Sequence, residues 1–447
     1  MESLIVLFAF VGYTLLQLGA SQPKNTSSII INNVLSLVIS AIMFWATGYA
    51  FAFGSSGDSF LSYSQFFLID ATQADFSAWF KHFTYLALYI AIVNGSFAER
   101  MRFWIYPFLT VFLSGFVYPV STHWAWHSQK KGWLMTEFNT SDSKFIVYQD
   151  VGGAGVIHVS AGGIAVIAAI LLGARPARKS HGERKLKDIG GETNTNIFLG
   201  ALLVLIGLGT KNVIENTSTL LRSRALVNSF LAASMSGFTS FALKRTAVFG
   251  ANWNTKTLLN SAIMGLVSVS AAPGNMYPYA AFAIGFVSGC AYVVWSVLLK
   301  TCRVDDISDT ITVNVGGGIL GVLAGPLLTI GDGVFYAGTI KTFNAFGLNM
   351  LGLVVFFFWH AAFALVLLAA FVCANRLTYK PHNISHETGF DIHEHDEPAY
   401  PAKETFPEGD TSPKSLAVLT DMGEYNFYGK PVRAIVNGSF AETKLDK

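Results

Sequence analysis

Two pairs of residues repeat one spacing in an otherwise apolar sequence. Asp150 precedes His158 by eight residues, and Asp306 precedes Asn314 by the same eight. A polar side chain within an apolar helix is costly unless it faces a cavity or a partner, so His158 and Asn314 are candidates for lining a polar path. A neutral imidazole can exchange hydrogen bonds with water or a small solute, although a histidine satisfied by packing partners is the blander reading. Asparagine offers a donor and an acceptor but takes up no proton near neutral pH. Asp150 fits two roles: a carboxylate at a pore mouth eases a cation out of water, and a carboxylate before a helix stabilises its N-terminus. Lys211 and Glu215 lie four apart in GLGTKNVIEN (207–216), one helical turn, so they can pair. Together these residues mark a polar site within an apolar protein.

Other chemistry finds little support. No nucleophile–base constellation suggests an enzyme. Gly316–Gly318 is not a phosphate loop, because no Lys-Ser/Thr follows; glycines in an apolar run instead let helices approach closely. His393 and His395 stand among acids in a polar tail and are not assigned a metal. Cys290, Cys302 and Cys373 give neither a disulfide framework nor metal spacing. No cofactor is expected. The net charge of +2, with no concentrated run of Lys and Arg among aromatics, argues against nucleic acid.

The elements that must position these residues are membrane helices. Of 447 residues, 52% are hydrophobic and 13% charged, the charged share being about half that of soluble domains. Runs long enough to cross roughly 30 Å of hydrocarbon occur at 4–20, 28–54, 83–98, 103–122, 151–173, 195–214, 225–243, 257–273, 278–299, 310–330 and 346–374. They predict an all-α membrane protein of about eleven transmembrane helices over residues 1–375, followed by a tail at 376–447. The first run also has the length of a signal peptide, but its only early charge is Glu2 where a secretory leader is basic, so it reads as a helix. The connection after the fifth run carries Arg175, Arg178, Lys179, Arg184, Lys185 and Lys187, which places it in the cytoplasm. An odd number of crossings then puts the N-terminus outside and the C-terminus inside. The 124–149 connection becomes external, with Asn139-Thr140-Ser141 as a glycosylation acceptor if the source is eukaryotic.

The two Asp-containing segments open the fifth and tenth runs and lead into glycine clusters. Equivalent helices five crossings apart have opposite orientations, which predicts an inverted five-helix repeat plus a final helix, with the site near the membrane midplane. Asp306 is the repeat-related counterpart of Asp150.

Several segments together resemble the ammonium transporter (Amt/Mep/Rh) family, nearer its Amt branch. They are 24–54, GSFAERMRF (95–103), YPVSTHWAW (118–126), DVGGAGVIHVSAGG (150–163), VDD (304–306), VGGGILG (315–321) and GFDIHEHDEPAYP (389–401). The resemblance implies a trimer, homomeric or mixed, in the plasma membrane among lipids. Each protomer would carry a narrow pore for ammonium or ammonia, with methylammonium as analogue. It implies that Asp150 lies beneath an outer ammonium site, that Trp126 walls this site as a cation–π partner, and that Tyr85 stands at a gate filled by phenylalanine in the family. Taken alone, Trp126 and Tyr85 would read as interfacial anchors. It implies further that His158 is the first of two pore histidines. Beyond Tyr85, the chain departs from the family pattern at three further places: Asn314 replaces the second histidine, Lys211 a gate phenylalanine, and Glu215 an ion-binding serine, while Asn212 is retained. Transport of ammonium or ammonia is the expected function. A non-conducting ammonium sensor, or a regulatory subunit of mixed trimers, is the alternative.

Overall fold

The computed structural model describes residues 2–127, 132–135, 147–175, 178, 191, 193–246, 253–374, 376–378 and 389–400, with the backbone of 435–436 and 439–440. The membrane helices are α1 (Glu2–Ala20), α2 (Pro23–Phe53), α3 (Gln73–Phe97), α4 (Ile105–Trp126), α5 (Ala154–Leu172), α6 (Asn194–Ile214), α7 (Thr219–Lys244), α8 (Thr255–Val267), α9 (Pro278–Thr301), α10 (Ile311–Leu328) and α11 (Ile340–Cys373). A short helix, α12 (Phe390–His395), follows in the tail. Among the described residues, ten helices are long and apolar enough to cross a membrane. The exception is α8, whose 13 residues give only about 20 Å of rise; turns through Asn275 complete its path.

Three starts, those of α3, α7 and α11, fall six or more residues earlier than the apolar runs suggest. The first turns of α3 are polar, and Thr72 holds them helical: its hydroxyl accepts from the Asp75 N–H at 3.3 Å, while Asp75 Oδ2 accepts from the Thr72 N–H at 2.7 Å, a reciprocal cap. Thr339 caps α11 in one direction, its hydroxyl accepting from the Thr342 N–H at 3.4 Å.

The connections separate onto two faces. On one, Asp305 accepts from Arg175 Nε at 2.9 Å and from Arg178 at 2.6 Å. Arg175 also pairs with Glu99, which accepts from the Gln22 N–H at 2.6 Å. The connections after α1, α3, α5 and α9 thus meet in one buried ionic cluster. The tail joins them, Asp391 accepting from the Ser28 N–H at 2.8 Å. On the other face, the Trp133 N–H donates to Ser59 O and the Val151 N–H to Ala271 O, gathering the connections after α2, α4 and α8. The segregation fits alternate crossings by every helix, short α8 included. Burial opposes ionisation of Asp305, but hydrogen bonds and charge from Arg175, then Arg100 and Arg178, outweigh it and hold the carboxyl well below the usual range.

Large apolar side chains point outward from several helices: Val34 and Val38 on α2, Phe282 and Phe286 on α9, Val354 and Phe358 on α11. Such a surface suits lipid rather than water. Between helices, small residues allow close approach. At the α1–α6 crossing, a Cβ on Gly12 would lie 2.6 Å from Gly200 O, and one on Gly200 would lie 2.7 Å from Gly12 O. Gly200→Val is therefore expected to lower the melting temperature of detergent-solubilised protein, by overpacking of about 1–3 kcal/mol or more. Gly347→Ala, where a Cβ meets nothing within 4 Å, should leave it unchanged or slightly higher. Equal losses in both variants would show that the α1–α6 approach is not tight.

Candidate functional site

Each of α5 and α10 opens on a π-helical turn, Ala154–Val159 and Ile311–Gly316. Such turns displace side chains from the regular helical stripe and recur at functional sites. The preceding aspartates hold both turns in the same way. Asp150 Oδ2 accepts from the N–H groups of Gly155 at 2.8 Å and Val156 at 2.9 Å. Asp306 accepts from those of Ile311 at 3.1 Å and Thr312 at 3.0 Å. Both carboxylates thus stabilise helix N-termini. The helices also interlock reciprocally: a Cβ on Gly162 would strike Val315, and one on Gly318 would strike Val159. Asp150/Asp306, His158/Asn314, Val159/Val315 and Gly162/Gly318 all share the 156-residue separation of the histidine and asparagine.

That interlock brings His158 and Asn314 together. His158 Nδ1 lies 2.8 Å from Asn314 Oδ1, both residues being fully buried. The Asn314 amide nitrogen donates to Thr310 O at 3.0 Å, so the amide oxygen is the group facing the ring. Nδ1 must then carry the hydrogen and donate it. His158 Nε2 is left a buried lone pair with no hydrogen-bond partner among the described residues. Tyr13 of α1, which sequence reading did not single out, donates more loosely to the same amide oxygen at 3.4 Å.

On the face bearing the α4–α5 connection, a cleft of about 900 Å³ is lined by Lys81, His82, Trp126, Asp150 and Glu215, among others. At its side Trp126 donates its indole N–H to Asp150 O at 2.8 Å. Lys211 is fully buried against this wall. Its ammonium stands 4.3 Å from the Tyr85 ring centroid and 4.6 Å from that of Trp126, and donates to Val151 O at 3.3 Å.

The pairing of Lys211 with Glu215 suggested by their spacing does not form. Glu215 instead binds Lys81 at 3.1 Å and accepts from the Tyr85 hydroxyl at 2.7 Å. Lys81 and Tyr85 occupy successive turns of α3, so a neighbouring helix supplies both partners, and no local spacing in α6 signals them. Asn212 donates to Ser229 of α7 at 2.9 Å, which ties two helices together. Asp306 lies at the opposite end, with its neighbour Asp309 bound by Lys256 at 3.1 Å. His82, whose ring packs against Phe53 with centroids 4.1 Å apart, and Lys81 are further site residues that sequence reading missed. Asn139 lies outside the described residues.

The fold and site define a polytopic helical membrane protein with a buried polar pair held between two repeat-related helices. A profile of the Ammonium Transporter Family matches residues 1–400, and the chain belongs to that family. It is 27% identical over 373 residues to ammonium transporter 3 of Dictyostelium discoideum, covering 79% of this chain and 82% of the relative. Against ammonium transporter 1 member 2 of Oryza sativa it is 28% identical, covering 68% of this chain and 64% of the relative. A Caenorhabditis elegans relative is 29% identical, but the match spans only 63% of its length. Among solved structures, a chain titled Sensor Amt Protein superposes with a TM-score of 0.79 at 24% identity, covering 88% of this chain and 96% of that one. Candida albicans Mep2 superposes with a TM-score of 0.73 at 22% identity, covering 85% and 84%. These structures share the fold.

Proposed function

We propose that this chain passes ammonium or ammonia across a membrane through a pore within each protomer. The observation that carries the reading is the buried His158–Asn314 pair between inverted halves. Its bare Nε2 can accept a hydrogen bond from ammonia, and Asn314 cannot take a proton, so neutral ammonia suits this path better than a relayed proton. Family membership and the names of the relatives support ammonium as substrate, and transport rather than catalysis. In this reading the N-terminus is outside, residues 376–447 are a cytoplasmic tail, and the protein sits in the plasma membrane as a homomeric or mixed trimer. Cross-linking that traps only monomer at native expression levels would remove the trimer.

The deciding test is methylammonium uptake into liposomes holding this chain alone. Uptake above protein-free liposomes is expected, and His158→Ala should reduce it about tenfold or more, given the cost of losing a buried polar contact. No uptake by well-folded native protein would leave the second reading, a non-conducting sensor or regulatory subunit. The placement of Lys211 is what favours that alternative.

A further inference from the structure

We propose that the Lys211 ammonium is the resident cation of the aromatic site beside the outer cleft, and that free ammonium or methylammonium does not bind there in the native chain. The inference rests on the reading that substrate enters through this cleft.

The site has the parts that recognise an alkylammonium. Two ring faces, Tyr85 and Trp126, stand 4.3 and 4.6 Å from the nitrogen, within the roughly 6 Å over which the ring quadrupole attracts a cation. One carbonyl, Val151 O, accepts from it at 3.3 Å. Lys211 also sits in the last turn of α6, where the helix dipole favours a cation. No part of the residue reaches solvent.

A side chain competes for such a site with an advantage dissolved ions lack. Its effective concentration is at or above about millimolar even by the standard of flexible linkers, and a four-carbon stem is far shorter than those. Forcing a second unit charge to about 6 Å from the first, at an effective dielectric near 20, would weaken its binding about a hundredfold. Glu215 does not draw the lysine out, because Lys81 and the Tyr85 hydroxyl already engage that carboxylate. Glu215 and Lys81 line the cleft above, so a cation arriving from solution meets a neutralised pair before a filled aromatic site.

The experiment is a binding titration on the full chain purified in detergent, with methylammonium as probe and tryptophan fluorescence as readout. Native protein and Lys211→Arg should show no saturable change. Lys211→Met, close in length but neutral, should bind at least about a hundredfold more tightly, and adding Trp126→Leu should abolish that signal. Lys211→Phe serves beside Lys211→Met, each judged only after its melting transition shows a folded protein. Native binding within a few-fold of either neutral variant would overturn the proposal. So would the absence of binding in a folded neutral variant. Uptake in the same preparations separates this from the transport reading. Binding gained without uptake in any preparation keeps the tethered cation and removes the pore, whereas uptake with binding already present in the native chain does the reverse.

Discussion

Ammonium is expected to evoke an electrical current through Asn314→His protein in oocytes or liposomes about tenfold or more above that of the native chain. The reasoning begins at the 2.8 Å contact between His158 Nδ1 and Asn314 Oδ1. In the native pair only one ring can take up or release a proton. The other partner is an amide whose nitrogen is committed to Thr310 O and whose oxygen does not protonate near neutral pH. A neutral molecule can pass such a pair by exchanging hydrogen bonds, but a proton meets a break. Histidine at 314 supplies a second ring at the same point on the interlocked helices, and the two would titrate as one coupled unit. Each ~1.4 kcal/mol removed from the barrier to proton passage multiplies the rate tenfold, so closing the break has a large effect. His158→Ala in the Asn314→His background should remove the current. A well-expressed Asn314→His protein carrying no more current than the native chain, with His158→Ala altering the behaviour of neither, would defeat the pore reading, and surface expression must be tracked alongside.

Asp305→Ala is expected to cost the most stability of any single change considered. The carboxylate is fully enclosed and receives Arg175 at 2.9 Å and Arg178 at 2.6 Å. Removing it leaves Arg178 without the carboxylate and Arg175 with Glu99 alone. Breaking a buried ion pair by deleting one partner typically costs about 3–5 kcal/mol, because the surviving charge stays desolvated. The cluster also ties four connections on one face, so its loss should loosen that end of the bundle first. Asp305→Asn keeps an acceptor and should fall between native and alanine. Glu2→Ala, which removes the exposed pair with Arg222, should leave the transition where it was. Melting temperature and the monodisperse fraction in detergent read all three. Equal shifts for Asp305→Ala and Glu2→Ala would mean that the cluster is dispensable.

Much of this architecture was legible along the chain. Hydrophobic runs of spanning length are forced on any helix that crosses lipid, since its backbone must be satisfied internally and its surface must be apolar. They located all eleven segments, missing chiefly the first turns of α3, α7 and α11, each of which opens on a capping hydroxyl. The eight-residue spacing from Asp150 to His158 and from Asp306 to Asn314 survived in three dimensions. An aspartate that holds a π-helical turn must stand a fixed number of residues before the side chain that the turn projects.

What only the tertiary structure decided was the choice among partners. The sequence by itself put Lys211 and Glu215 on one face of a helix and made them an eligible pair. Folding gave each of them better company from elsewhere: two aromatic rings and a carbonyl for the ammonium, a lysine and a tyrosyl hydroxyl of α3 for the carboxylate. Tyr13, 301 residues from Asn314, and Asn212, whose amide serves helix packing, are decided in the same way. The physical reason is common to all four. Helical spacing states which side chains can meet within one element, but desolvated polar groups settle on whatever partners the packed helices deliver, and only the crossing of those helices specifies them.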